Sequence, residues 1–224
     1  MHCPEIILEP EISSRHGVFL AVVCLEGADC SSTLDSLLTR VEEEVRSMYR
    51  LEDLRNNPRV RALRDFYWKI DIDPTKQRPA SEALVRRVLR GGSIPRINCA
   101  VDAGNIVSMK TLVPIGIYDL AKLSPPIRMR YSRDGELFKP IGRKPERLRE
   151  RQIVLADIER IVHVYPYRDG EETKVDSTSR DLLVVAGGVP GLSRDVVVHA
   201  AREVARLIVE QCGGTRVSEV KTVP

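Results

Sequence analysis

The sequence predicts an α+β fold: one domain in which a mixed sheet is packed by helices. Three observations lead there. Helical spacing dominates the first half of the chain, whereas wholly apolar or alternating strand-like runs dominate the second. No repeat, low-complexity stretch or Pro/Gly/Ser-rich linker divides it. With 224 residues, 42% of them hydrophobic and 30% charged, the chain is long enough for one sizeable core and too apolar for general disorder.

Residues 17–25, "GVFLAVVCL", form a branched, continuous apolar run that reads as a strand buried on both faces. After "EGADCSS", Leu34, Leu37, Leu38, Val41, Val45 and Met48 recur at helical spacing as far as Arg50. Ser32, with Asp35 three residues on, marks a capped start for that helix. In "NNPRVRALRDFYWKI" a second helix begins, with Asn57 as cap and Pro58 at its first position. "DIDPTKQRP" is a loop, since each proline enforces extended backbone before it.

"PASEALVRRVLRGG" is a third helix, opened by Pro79 and closed by Gly91. It turns Leu84, Val85, Val88 and Leu89 inward and leaves Arg86, Arg87 and Arg90 outside or at the edge. Helical spacing continues over 98–110, with Val101, Ile106 and Met109 facing inward, until Pro114 and Gly116. "IRMRYS" and "ELFKPIG" alternate like strands around the Asp134-Gly135 turn, and "ERLRER" reads as an exposed connection. "QIVLAD", "RIVHVYPY" and "DLLVVAGG" are three further strands. A last helix spans 192–211, capped by Ser193 and stopped by Gly213-Gly214, and the final ten residues read as loose. The expected organisation is an N-terminal part of the same domain at 1–55, a core at 56–212 and a tail at 213–224.

The net charge of +3 is unevenly spread. Residues 1–44 hold two basic side chains against nine acids, residues 45–127 fifteen against eight, and residues 128–151 nine against four. A basic middle between acidic ends attracts polyanions, and arginine suits phosphate in particular. The five cysteines are odd in number and never spaced as CxxC, so reduced thiols in a cytoplasmic protein are expected. The first residues lack the basic n-region of a signal peptide, and no apolar run approaches the roughly 20 residues of a membrane helix. No metal and no cofactor is expected: four zinc ligands do not converge, and "AGGVPG" at 186–191 reads as a turn, without P-loop or dinucleotide spacing.

Standard nucleophile motifs are missing, and His163 and His199 read as partnered structural histidines. The candidate chemistry lies elsewhere. In "RINCAVDAGNIVSMKTLVPIGIYDL", Asn98, Asp102, Asn105 and Ser108 fall at helical spacing and share one face of an otherwise apolar element. Such a stripe either lines a cleft or bonds to neighbouring backbone and solvent.

The run "RPASEALVRRVLRGGSIPRINCAVDAGNIVSMKTLVPIGIYDL", followed by "IRMRYSRDGELFKPIG" and "IVLAD", resembles the B3/B4 domain of the phenylalanyl-tRNA synthetase β subunit, and more closely its free-standing relatives. The resemblance extends over about residues 60–212. It implies an α+β fold with a pocket beside residues 102–108, and tRNA or aminoacyl-tRNA as partner rather than a membrane. In the synthetase this domain hydrolyses tyrosine wrongly attached to tRNA. The chain departs from that pattern: Gly104 stands where the synthetase has threonine, Gly116 where it has histidine, and a glutamate-bearing glycine-rich stretch has no equivalent.

The resemblance implies a trans-acting editing hydrolase of mischarged aminoacyl-tRNA. Asp102 or Glu82 would work on the water, with Asn98 and Asn105 donating to the carbonyl or ribose. Ser108, Tyr118, Arg96, Tyr165 and Arg168 would bind substrate. The alternatives are a non-catalytic RNA-binding module and a small-molecule, amino-acid-binding protein. Aminoacylation by this chain alone is not expected, because no ATP site is recognisable.

Overall fold

The computed structural model describes residues 3–224. In chain order these form β1 (Ile6–Leu8), α1 (Pro10–His16), β2 (Phe19–Glu26), α2 (Asp35–Met48), α3 (Pro58–Lys69), α4 (Ala80–Leu89) and α5 (Cys99–Thr111). There follow β3 (Ile115–Asp119), β4 (Ile127–Tyr131), β5 (Leu137–Phe138), β6 (Glu146–Arg147), β7 (Ile153–Ala156), β8 (Ile161–Val164), β9 (Arg168–Asp169) and β10 (Leu182–Gly188). The chain closes with α6 (Arg194–Cys212), β11 (Thr215–Arg216) and β12 (Lys221–Val223).

Two five-stranded sheets organise the domain, one in the order β1-β4-β7-β8-β9, the other built on β11-β2-β10-β3 with β12 also on β2. Only the β1–β4 pair is parallel among the described strands. β2 is the apolar run read from the sequence, and it is buried almost throughout because β10 pairs with it and α6 packs on both. α5 lies on β3 and against α6, α4 and α2. Gly104 permits that approach, since a Cβ there would stand 2.9 Å from the Ile117 Cδ1 atom.

α3 starts as its sequence requires, with the Asn57 side chain accepting from the Arg59 N–H and Pro58 following. α2 does not: no side chain of its own caps it, and the Leu34 N–H is instead taken by the Asp102 carboxylate. Two further expectations are corrected. The tail is not loose, because β11 pairs with Leu25 and Glu26, and β12 with Leu20 to Val22. Nor are the thiols all reduced: Cys3 is bonded to Cys24 and Cys99 to Cys212. These pairs lie 21 and 113 residues apart, beyond any local spacing rule. Cys30 is left free and buried, and burial pushes its thiol up to about 11. No described helix is long and apolar enough to cross a membrane.

Candidate active site

The polar stripe of α5 forms, but it does not line a cleft. Asn98 caps the helix by accepting from the Val101 N–H at 3.0 Å, and its amide donates to the Val175 carbonyl. Asp102, fully buried, accepts from the Leu34 and Ile97 N–H groups, each at 3.0 Å. Ser108 donates to the Val113 carbonyl at 2.8 Å, which serves the last turn of the helix. Asn105 is only partly buried. Three of the four groups, Asn98, Asp102 and Ser108, are thus taken up by main chain at 34, 97, 113 and 175.

The expected water-activating carboxylate Glu82 is also committed, fully buried and accepting from Arg64 at 2.9 Å with Arg86 at 3.6 Å. Arg96 pairs with Glu42 at 2.8 Å and donates to Thr39, so it joins α2 to the segment before α5. Arg168 pairs with Glu146 at 2.8 Å, its guanidinium over the Tyr167 ring. Breaking the Asp102 contacts leaves two backbone donors without their acceptor. Asp102→Ala is therefore expected to cost about 2–4 kcal/mol of stability, read by urea unfolding, with the turnover of the folded fraction unchanged. A variant of normal stability and lost activity would instead restore Asp102 to the chemistry.

Tyr118 and Tyr165 lie elsewhere, on a recess between the two sheets with a cavity volume of about 70 Å³. Leu20 and Val185 line it from one sheet, Met129 and Leu155 from the other, and Ala80 from the first turn of α4. Its polar end was missed in the sequence. His163 on β8 and Asp169 on β9 are paired residues, so their side chains meet across the strands. The His163 Nδ1 atom is 2.8 Å from the Asp169 Oδ1 atom, which also accepts from the Tyr118 hydroxyl at 2.9 Å.

Burial pushes the Asp169 carboxyl up, but His163 beside it and the Tyr118 hydroxyl outweigh that and hold it below the ordinary carboxylate value. Burial first, then the Asp169 charge, drives the Tyr118 hydroxyl well above its usual value, so it stays a donor. An ionised carboxylate only accepts, so the Nδ1 atom of His163 carries the hydrogen, and in the neutral ring the Nε2 atom presents its lone pair. No described residue hydrogen-bonds to that Nε2 atom.

Gly116 makes this arrangement possible. A Cβ at that position would stand 2.4 Å from the Tyr118 hydroxyl oxygen, so the ring and any larger residue at 116 exclude one another. The sequence signal was present in "HVYPYRD": a histidine and an aspartate six apart around a Tyr-Pro turn become cross-strand partners. Among the described residues no group of three His, Cys, Asp or Glu side chains is placed to hold a metal ion.

Fold and recess together define a two-sheet α+β domain with its pocket between the sheets. The chain belongs to the B3/4 domain family, whose model matches residues 62–213. It is similar to the phenylalanine–tRNA ligase β subunit of Pseudomonas syringae pv. tomato, 27% identical over 188 residues that cover 82% of this chain and 23% of that protein. The same subunit of Carboxydothermus hydrogenoformans is 31% identical over 121 residues, covering 54% of this chain and 15% of that one. The chain thus spans less than a quarter of the length of these curated relatives. Among solved structures, an N-terminal fragment of the phenylalanyl-tRNA synthetase β subunit from Pyrococcus horikoshii superposes with a TM-score of 0.53 at 14% identity. That match covers 95% of this chain and 50% of the fragment, and it concerns the fold alone.

Proposed function

We propose that the protein hydrolyses the ester joining a small, wrongly attached amino acid to the 3′ ribose of a tRNA, with His163 as general base. The observation that carries this reading is the Tyr118–Asp169–His163 chain at the polar end of an otherwise apolar recess. Kinship with subunits named for a tRNA ligase supports tRNA as the carrier of the ester.

The Nε2 atom of His163 takes a proton from water as the water oxygen adds to the ester carbonyl carbon. The tetrahedral adduct then collapses, breaking the bond to the ribose oxygen, which recovers the proton from the Nε2 atom. The products are the free amino acid and tRNA with its hydroxyl restored. Asp169 stays ionised and stabilises the imidazolium between the two transfers, while Tyr118 holds the carboxylate in place. An aminoacyl ester is already activated, so one oriented base and a positioned water suffice.

The size of the recess selects the acyl group. Its ≈ 70 Å³ is about half of the ~150 Å³ of an apolar cavity known to hold benzene, which favours a small aliphatic side chain over a tyrosyl or phenylalanyl ring. The experiment is a panel of tRNAs charged with alanine, serine, valine, phenylalanine and tyrosine, incubated with the pure protein. Loss of the small esters and survival of the aromatic ones is expected. Preferential loss of tyrosyl-tRNA would overturn the size argument. Binding of every tRNA with cleavage of none would leave a non-catalytic RNA-binding module.

A further inference from the structure

We infer that the arginine face of α4 is a docking surface for the phosphate backbone of the RNA whose 3′ end reaches the recess. This rests on the reading of the recess as a site for an aminoacyl ester on RNA. Arg86 and Arg87 on α4, with Arg90 just after it and Arg78 just before it, line one open groove. No acidic residue lines that groove. The one acid in the helix, Glu82, is fully buried, accepts from Arg64 at 2.9 Å and lies 3.6 Å from Arg86, so it does not face the groove.

Among the described residues Arg78, Arg87 and Arg90 have no carboxylate partner, and Arg86 shares the buried Glu82 with Arg64. The Arg86 Nε atom is buried with no hydrogen-bond partner. Burial lowers the pKa of Arg86, and Arg78, Arg90 and Arg64 lower it further against the pull of Glu82. Arg87 spends its Nε–H on the Ser93 carbonyl, and Arg87 and Arg90 are exposed. Clustered like charge opposes folding, so an anion that binds this groove relieves a repulsion as well as gaining contacts.

Phosphate on RNA is the anion that fits best. The planar guanidinium fork matches phosphate oxygens, and several in a row match a polymer rather than a single ion. A bilayer fits less well, because the groove offers no large apolar side chain to insert. Position supplies the remaining link. Ala80, the first residue of α4, lines the recess, while Arg90 follows the last one, so the basic stripe leads directly away from the recess over about 15 Å.

The test uses an uncharged RNA minihelix with a single-stranded 3′ end, titrated against the full chain at several salt concentrations. Wild type is expected to bind with a steep salt dependence. Arg87→Glu/Arg90→Glu is expected to weaken binding at least tenfold at about 50 mM salt and to lower the slope of log K against log salt by about 2. Neither side chain contacts the recess, so the variant is expected to cleave a small aminoacyl ester at the wild-type rate. Arg78→Glu, in the loop before the helix, gives a second reading should the double variant melt early. Unchanged affinity and slope in these variants would overturn the surface, as would wild type that binds phosphatidylserine vesicles and ignores the minihelix. A wild type that binds the minihelix through these arginines yet cleaves no ester would keep the surface and remove the hydrolase.

Discussion

Alanine in place of His163 is expected to slow ester hydrolysis about 10²–10⁴-fold, the range general-base groups contribute. RNA affinity and melting temperature should stay close to wild type. The loss falls on the chemical step because the Nε2 atom is the proton acceptor of the proposed reaction, while the Nδ1 atom is held by Asp169. Stability is spared because the same Asp169 oxygen keeps its hydrogen bond from the Tyr118 hydroxyl at 2.9 Å. Asp169 acts through the imidazole and is a positioning residue. Asp169→Asn is expected to lower kcat with little change in KM and to move the pH at which kcat rises, because the charge that steadies the imidazolium is gone. Single-turnover deacylation across pH 5–9 measures both. A His163→Ala enzyme of wild-type rate would exclude the base assigned here.

The second large effect concerns stability. Opening the Cys99–Cys212 bond, by reductant or as Cys99→Ala/Cys212→Ala, is expected to lower the melting temperature by about 10–15 °C. The bond ties the first residue of α5 to the last of α6, closing a loop of 113 residues. Loops of about 100 residues correspond to roughly 4.7 kcal/mol in the chain-entropy account. For a chain of this size each kcal/mol moves the midpoint by about 2–4 °C. Both sulfurs sit in the core, where alanine leaves no unpartnered polar group, so the loss reports mainly on the unfolded chain. Equal melting curves with and without reductant, after thiol titration proves the bond opened, would exclude this account.

How much of this was legible in the sequence depended on whether the signal was local. β2 could be read because nine consecutive apolar residues leave few alternatives, and α3 because Asn57-Pro58 states its own start. The polar stripe of α5 was legible as geometry but not as purpose. Asp102 accepts from a backbone group 68 residues earlier, and nothing in the helical period announces that. The expected pocket beside 102–108 lies instead on the far side of β3, where Tyr118 and Tyr165 reach it and the stripe does not. His163 was read as a partnered histidine, and it is one. Its partner Asp169 and the recess come together only when β8 and β9 fold back on each other. The cystines escaped for the same reason.

The short closing strands have a consequence for how these molecules behave in a crowd. β10 occupies one edge of β2, and β11 and β12 occupy the other. Without them, the amide and carbonyl row of a long, valine-rich ribbon would lie open to solvent, the template along which separate chains zip into fibrils. A dozen residues of modest hydrophobicity thus serve as a selvedge, keeping the most cohesive segment of the protein from recruiting its neighbours.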